Sequence, residues 1–344
     1  MIAHFKHYVL NFKQASGTSR GILRTKDTWL LIIENQDKKG IGECGMFKGL
    51  SCDDRPDFEA KLQWTCDNIH LGLEELLEAL TEFPSIQFGL EMAFQSLKSI
   101  TPFELFPSKF TSGEAAIAIN GLIWMGSEAF MKQQIKDKLA QGFNCIKMKI
   151  GAIDFDTEMQ LLKSIRNEFS VSDIELRVDA NGAFASNEAL EKLKVLSDLE
   201  LHSIEQPIKQ GQIEEMARLC EVTPLPIALD EELIGVFGVT NKTTLLQTIQ
   251  PQYIILKPTL VGGFEGSKTW IDIAEQNNIG WWITSALESN VGLNAIAQWT
   301  YKLQNPMPQG LGTGSLFTNN FESPLQVKNG TLQYQTKHNW KFNI

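Results

Sequence analysis

After about Ala115 the chain repeats one unit: a short apolar run, then an amphipathic stretch of helical period. The runs are AAIAI, NCIKMKI, IELRVD, HSIEQP, PIALD, YIILKP and WWIT, with a weaker eighth near Gln309–Gly312. Helical patterns lie between them, near Ser127–Gly142, Asp154–Phe169, Asn187–Leu196, Gln212–Cys220, Val239–Gln247, Phe264–Asn277 and Val291–Tyr301. Ser127 is placed to cap the first of these and Gly142 to end it. Eight strands alternating with helices over about 200 residues are the pattern of a closed (β/α) barrel. A doubly wound open sheet is the competing arrangement.

The last residues of the second to sixth runs are Lys149, Asp179, Glu205, Asp230 and Lys257, separated by 30, 26, 25 and 27 residues. Each step is one strand–helix unit, so the charges land at one height on successive staves, at the end where barrel chemistry sits. A lone Asp after a strand is ordinarily an N-cap or turn former. Glu231 and Glu232, next to Asp230, read equally well as helix-start acids. Five charges at the repeat spacing are another matter. Three hard oxygen ligands without Cys or His suit Mg²⁺ or Mn²⁺. Such a cation offsets the carboxylates' repulsion and polarises a substrate carboxylate as a Lewis acid. Lys149 and Lys257 flank the acids and are placed to work on opposite faces of a substrate. In CIKMKIG, Lys147 shares the strand face of Lys149, roughly 7 Å away. A like charge there lowers the pKa of a lysine base. Arg177 shares the face of Asp179 and reads either as orienting carboxylates or as a structural ion pair. Asn181 and Glu231, beside the acids, are expected to support them.

The first hundred or so residues follow another grammar. β-like segments (His4–Phe12, Gly21–Glu34, Gly40–Cys44), the last two joined by the turn NQDKKG, precede helical patterns at Asp57–Ile69 and Ser85–Leu97, the latter opened by Pro84. Strands then helices in separate runs indicate an α+β unit. The expected division is 1–110 for this unit, 111–318 for the barrel, and 319–344 as a segment returning to pack on the first domain through TLQYQ. GGFEGSKT (Gly262–Thr269) lacks the Gly-Lys step of a phosphate loop, and GLGTG (Gly310–Gly314) lacks the dinucleotide spacing. Both read as glycine-rich loops that let a ligand approach the backbone.

A formal net charge of −10 argues against a nucleic-acid or anionic-membrane partner, which would want basic patches. The N-terminal MIAHFKHYVL has no signal-peptide pattern, and no apolar run is long enough to span a bilayer. Five cysteines without a CxxC pair read as reduced thiols of a cytoplasmic protein. The expected partner is a small-molecule carboxylate.

The set K-x-K (Lys147–Lys149), VDANG (Asp179), IEQP (Glu205), ALDE (Asp230) and LKP (Lys257) resembles the muconate-lactonising-enzyme branch of the enolase superfamily. That resemblance covers essentially the whole chain and implies a (β/α)7β barrel with an N-terminal α+β capping domain. TSALESNVGLNAIA (Thr284–Ala297), QGLGTGSLF (Gln309–Phe317) and GECGMFKGLSCDD (Gly42–Asp54) are similar to the o-succinylbenzoate synthase family. The likeness implies dehydration of 2-succinyl-6-hydroxy-2,4-cyclohexadiene-1-carboxylate in menaquinone biosynthesis. Lys149 would take the α-proton and then protonate the departing hydroxyl, and Lys257 would stabilise the enediolate as a cation. Thr284, Ser285 and Gly310 would contact the substrate. The loop SGTSRG (Ser16–Gly21) would cover the mouth with residues 42–54, Arg20 reaching the succinyl carboxylate. Rival activities of the same branch are N-acylamino-acid racemisation and dipeptide epimerisation. GLGTG, standing where dipeptide epimerases carry Asp-x-Asp, opposes the second. A non-catalytic barrel that binds a metal and an acid for regulation is the remaining reading.

Overall fold

The computed structural model describes residues 1–18, 21–124 and 126–343. Three antiparallel strands, Ile2–Thr18, Gly21–Asn35 and Lys38–Cys44, form the capping sheet in that order. The middle strand is apolar without alternation at WLLII because both of its faces are buried. Trp29, Leu31 and Ile33 pack on the helices Phe58–Asp67, Leu73–Ala79 and Pro84–Lys98, while Leu30 and Ile32 join the core that continues into the barrel. Burying each such aliphatic side chain is worth roughly 1.5–3 kcal/mol. The third strand lies directly on helix 84–98. A Cβ at Gly42 would stand 1.8 Å from Gly89 O, so only glycine allows this approach.

The second unit is a parallel sheet whose strands run in sequence order, Gly121–Ile123, Cys145–Lys149, Glu175–Asp179, Ser203–Glu205, Ile227–Leu229, Tyr253–Leu256 and Gly280–Ile283. Two residues close it. Gln309 bridges Ile119 and Gly310 bridges Thr284, both in parallel, which makes the eighth stave and the barrel. Helices fill the connections, with Ser127 and Asp154 capping two of them through their side chains.

One strand sits differently from the sequence reading. AAIAI was expected as the first stave, yet Ala116–Ala118 pairs antiparallel with Thr331–Tyr334, and Gly121–Ile123 takes the barrel position against Ile146–Met148. Ile117 is buried between the exposed Ala116 and Ala118, the alternation of a strand covered on one face. The tail also stacks Trp340 on Phe103 (ring centroids 4.1 Å) and sets Tyr334 edge-on to Phe110.

Two carboxylates of the capping unit fix it over one end of the barrel. Glu43 accepts from Ser289 N (2.8 Å) and Gly292 N (2.7 Å), at the start of helix Asn290–Leu303. Glu91 accepts from Phe264 N and Glu265 N at the start of helix Gly263–Gln276. Each carboxyl group accepts at the positive end of a barrel helix; burial pushes that of Glu91 up to about 8 against the Glu265 and Phe264 N–H donors. Those helices begin where the sixth and seventh strands end, so the cap is seated over the C-terminal mouth. The glycine-rich 262–269 segment thus admits the Glu91 side chain instead of a ligand: a Cβ at Gly263 would lie 2.1 Å from Glu91 Oε2.

Candidate active site

Parallel register levels the charged strand ends. Lys149 pairs with Asp179 and Asp179 with Glu205 on neighbouring strands. Asp230 follows the fifth strand and Lys257 the sixth. The second and sixth of eight staves lie opposite each other, so Lys149 and Lys257 face across the mouth with the three acids along the arc between them.

The acids are buried, at 0% exposure for Asp179 and 2% for Glu205 and Asp230. Lys149 Nζ donates to Asp179 Oδ2 (2.7 Å) and to Asn181 Oδ1 (2.8 Å). Lys147 Nζ spans Asp179 (3.1 Å) and Glu205 (2.5 Å), and Lys257 is ion-paired with Asp230. Burial opposes the charge on Lys147, but Asp179 and Glu205 outweigh it and hold the ammonium above the usual lysine range. Lys257 is raised in the same way, burial being overcome by Asp230 first. Asp179 is held low: burial works against its charge, and Lys147 and Lys149 override it. Glu205 goes the other way, pushed well up by burial and then by the charges of Asp179 and Asp230.

Among the described residues, no three Asp, Glu, His or Cys side chains stand grouped closely enough to hold a metal ion. Lysine ammonium groups lie against the carboxylates. The donor set nevertheless fits a hard divalent cation. It offers oxygen alone, it is buried, and Glu205 carries the repulsion of two neighbouring acids that such a cation would relieve.

A cavity of ≈ 170 Å³ opens onto these groups. Thr284, Ser285 and Gly310 line it together. Thr284 Oγ1 donates to Gly310 O (3.0 Å), Ser285 Oγ lies 2.6 Å from Thr313 Oγ1, and a Cβ at Gly310 would meet Thr284 Oγ1 at 2.1 Å. Asn181, which donates to Glu231 Oε1 (3.0 Å), also lines the cavity. Phe47 and Leu50, from the 42–54 segment, form part of the wall with Trp124 and Leu316. Asn120 is a lining residue that the sequence reading missed, although it directly follows AAIAI, because only charged residues were read at the strand ends. The apolar wall residues carried no signal that separates them from core. Arg177 does not reach the acids. It donates to Glu175 Oε1 (2.6 Å) and Pro308 O (3.0 Å) and lies 4.2 Å over the Trp282 ring, the structural ion pair of the two readings. Arg20 lies outside the described residues.

A family profile for enolase C-terminal domain-like proteins matches residues 131–338. The chain belongs to this family. It is 48% identical to the o-succinylbenzoate synthase of Desulfotalea psychrophila, over 94% of this chain and 96% of that one. The crystal structure of MenC from the same organism superposes with a TM-score of 0.86 at 44% identity, covering 97% of this chain and 99% of the other. The substrate-liganded L-Ala-D/L-Glu epimerase of Bacillus subtilis shares the fold, with a TM-score of 0.83 at 19% identity over 96% and 95% of the two chains. Family membership agrees with the barrel and cap read from the sequence. No helix among the described residues is long and apolar enough to cross a membrane.

Proposed function

We propose that the protein dehydrates 2-succinyl-6-hydroxy-2,4-cyclohexadiene-1-carboxylate to 2-succinylbenzoate, a step of menaquinone biosynthesis, in the cytoplasm. What carries the reading is near-full-length identity of 48% to a relative of that activity. The opposed lysines support it. Asp179, Glu205 and Asp230 would hold Mg²⁺ or Mn²⁺ once the Lys147 and Lys257 ammonium groups swing off them. The cation would neutralise the acids and polarise the substrate carboxylate.

Lys149, as the free amine, takes the proton from the carbon bearing the carboxylate. The electron pair moves into the carboxylate as an enediolate, and Lys257 offsets the new negative charge from the opposite face. The pair then returns to the ring and expels the hydroxyl, which takes the proton from the Lys149 ammonium and leaves as water. The ring becomes aromatic. One acid/base group suffices because both proton transfers occur on one face. Asn181 holds Lys149 in line, Lys147 places a second positive charge beside the acids, and Thr284, Ser285 and Gly310 border the ring. Phe47, Leu50 and Trp124 keep water from the carbanionic stage.

The test is an assay of purified protein with Mg²⁺ for loss of the diene chromophore, run beside α-proton exchange of N-succinyl amino acids in D₂O. Aromatic product is expected. Exchange without dehydration would assign the site to racemisation instead.

A further inference from the structure

Behind the cavity wall three buried charged side chains meet that the chemistry above does not use. Lys26 of the second capping strand is 6% exposed, and Glu43 of the third and Glu288, beyond the seventh barrel strand, are 0% exposed. Lys26 Nζ donates to Gly45 O (3.2 Å), and a Cβ at Gly45 would lie 3.4 Å from Lys26 Nζ, 3.5 Å from Glu288 Cγ and 3.5 Å from Thr259 Cγ2, so the three side chains surround one point. Burial pushes the ammonium below the usual lysine range, and Glu43 and Glu288 oppose that shift. Glu43 is saturated: Thr28 Oγ1 (2.9 Å), Ser289 N (2.8 Å), Ser289 Oγ (2.5 Å) and Gly292 N (2.7 Å) all donate to it.

Glu288 is less well provided. It accepts from the Thr259 hydroxyl and from Ala286 N (2.8 Å). Both partners border the reaction. Ala286 and Leu287 line the cavity next to Thr284 and Ser285, and Thr259 stands two residues beyond Lys257. Leu287 is held at φ 61°, a left-handed conformation that a leucine keeps only when its surroundings impose it. The Glu288 carboxylate therefore ties the turn after the sixth strand to the wall after the seventh. Burial pushes its carboxyl up, and the charge that most opposes this comes from Lys26, on the other unit of the molecule.

We propose that Lys26 and Glu288 form a positioning clasp, by which the seated cap holds the 284–287 wall and the turn after Lys257 in their reacting arrangement. Without the ammonium, Glu288 loses the charge that offsets its burial; it takes up a proton or turns away, and either change weakens its hold on Ala286 N and Thr259. Removing the carboxylate's charge as well removes the reason to leave. The two sites are coupled, and loss of either is felt in the substrate-binding wall.

The clasp rests on the proposed dehydration for its kinetic readout alone. Hydrogen exchange across residues 284–289 reads it without any substrate. In the full-length protein, Lys26→Met is expected to speed exchange at Ala286 and to lower kcat/KM about tenfold, mainly through KM, since the wall contacts substrate. Lys26→Arg, which keeps the charge, should restore most of both. The double variant Lys26→Met/Glu288→Gln should regain part of the loss, a coupling of about tenfold. Unchanged exchange in Lys26→Met, a loss confined to kcat, or strictly additive effects would overturn the clasp. If the wild-type protein turns over none of the diene, the substrate reading falls and exchange in Lys26→Met and Lys26→Arg still decides the clasp.

Discussion

Lys149 and Lys257 are the same side chain in different company, and the difference fits the separate tasks proposed for them. Lys149 shares its carboxylate, Asp179, with Lys147 and has a neutral amide oxygen as its second partner. Lys257 has Asp230 to itself, and that pairing keeps it charged. Replacing Lys149 with Ala should cut dehydration by roughly 10²–10⁴-fold or more, measured as product formation with folding checked by circular dichroism. Lys149→Arg should not rescue it, because a guanidinium does not give up its proton. Asp53 supplies a prediction away from the chemistry. Burial pushes its carboxyl up to about 6, against hydrogen bonds from Ser85 N (2.9 Å) and Ser85 Oγ (2.6 Å). A raised acid favours the folded state while protonated. Its contribution is present below the ordinary value near 4 and lost as pH rises through about 6, a fall of about 3 kcal/mol. In urea titrations across that window, wild type should lose stability relative to Asp53→Asn, whose amide stays neutral. Parallel curves would contradict this.

At the level of elements, the closest fit is that of strand 38–44 on helix 84–98. Its glycines are a steric requirement, since a Cβ at Gly89 would meet Cys44 Sγ at 2.4 Å, just as one at Gly42 would strike Gly89 O. Gly42→Ala should therefore cost about 1–3 kcal/mol through displaced backbone, seen as a lower urea midpoint. It should also weaken turnover, because Glu43 is the next residue and caps helix 290–303. Barrel helices were legible from period and from the cap at Ser127, because those signals are local. The first stave was not. AAIAI and GLIW are both short and apolar, and only their partners, Thr331–Tyr334 for one and Ile146–Met148 for the other, separate them.

For the whole molecule, the mouth of the barrel gathers buried acids whose repulsion is balanced by lysines drawn from three positions on two strands. A divalent cation that binds only the folded arrangement should stabilise it by RT ln(1 + [L]/Kd), about 2.7 kcal/mol at a hundredfold excess over Kd. Addition of Mg²⁺ should accordingly raise Tm by several degrees, and chelator should reverse it. Glu205→Gln should abolish the rise, since the variant lacks the carboxylate most burdened by its neighbours. A Tm indifferent to Mg²⁺ in wild type would remove the metal from the proposed site.

Local chemistry and repetition alone determined much of this protein: the strand–helix alternation, the five charges one unit apart, and the separate grammar of the first hundred residues. These are readable because a barrel converts a spacing in sequence into a level in space. Tertiary structure decided what depends on which segments meet. It sent Arg177 to Glu175 and Trp282, filled the glycines at 262–263 with Glu91, placed Asn120 in the cavity, and buried Lys26 against two acids. None of these follows from spacing, because each depends on which side chains meet in the folded molecule, and the contacts of Glu91 and Lys26 exist only once the cap is seated on the barrel.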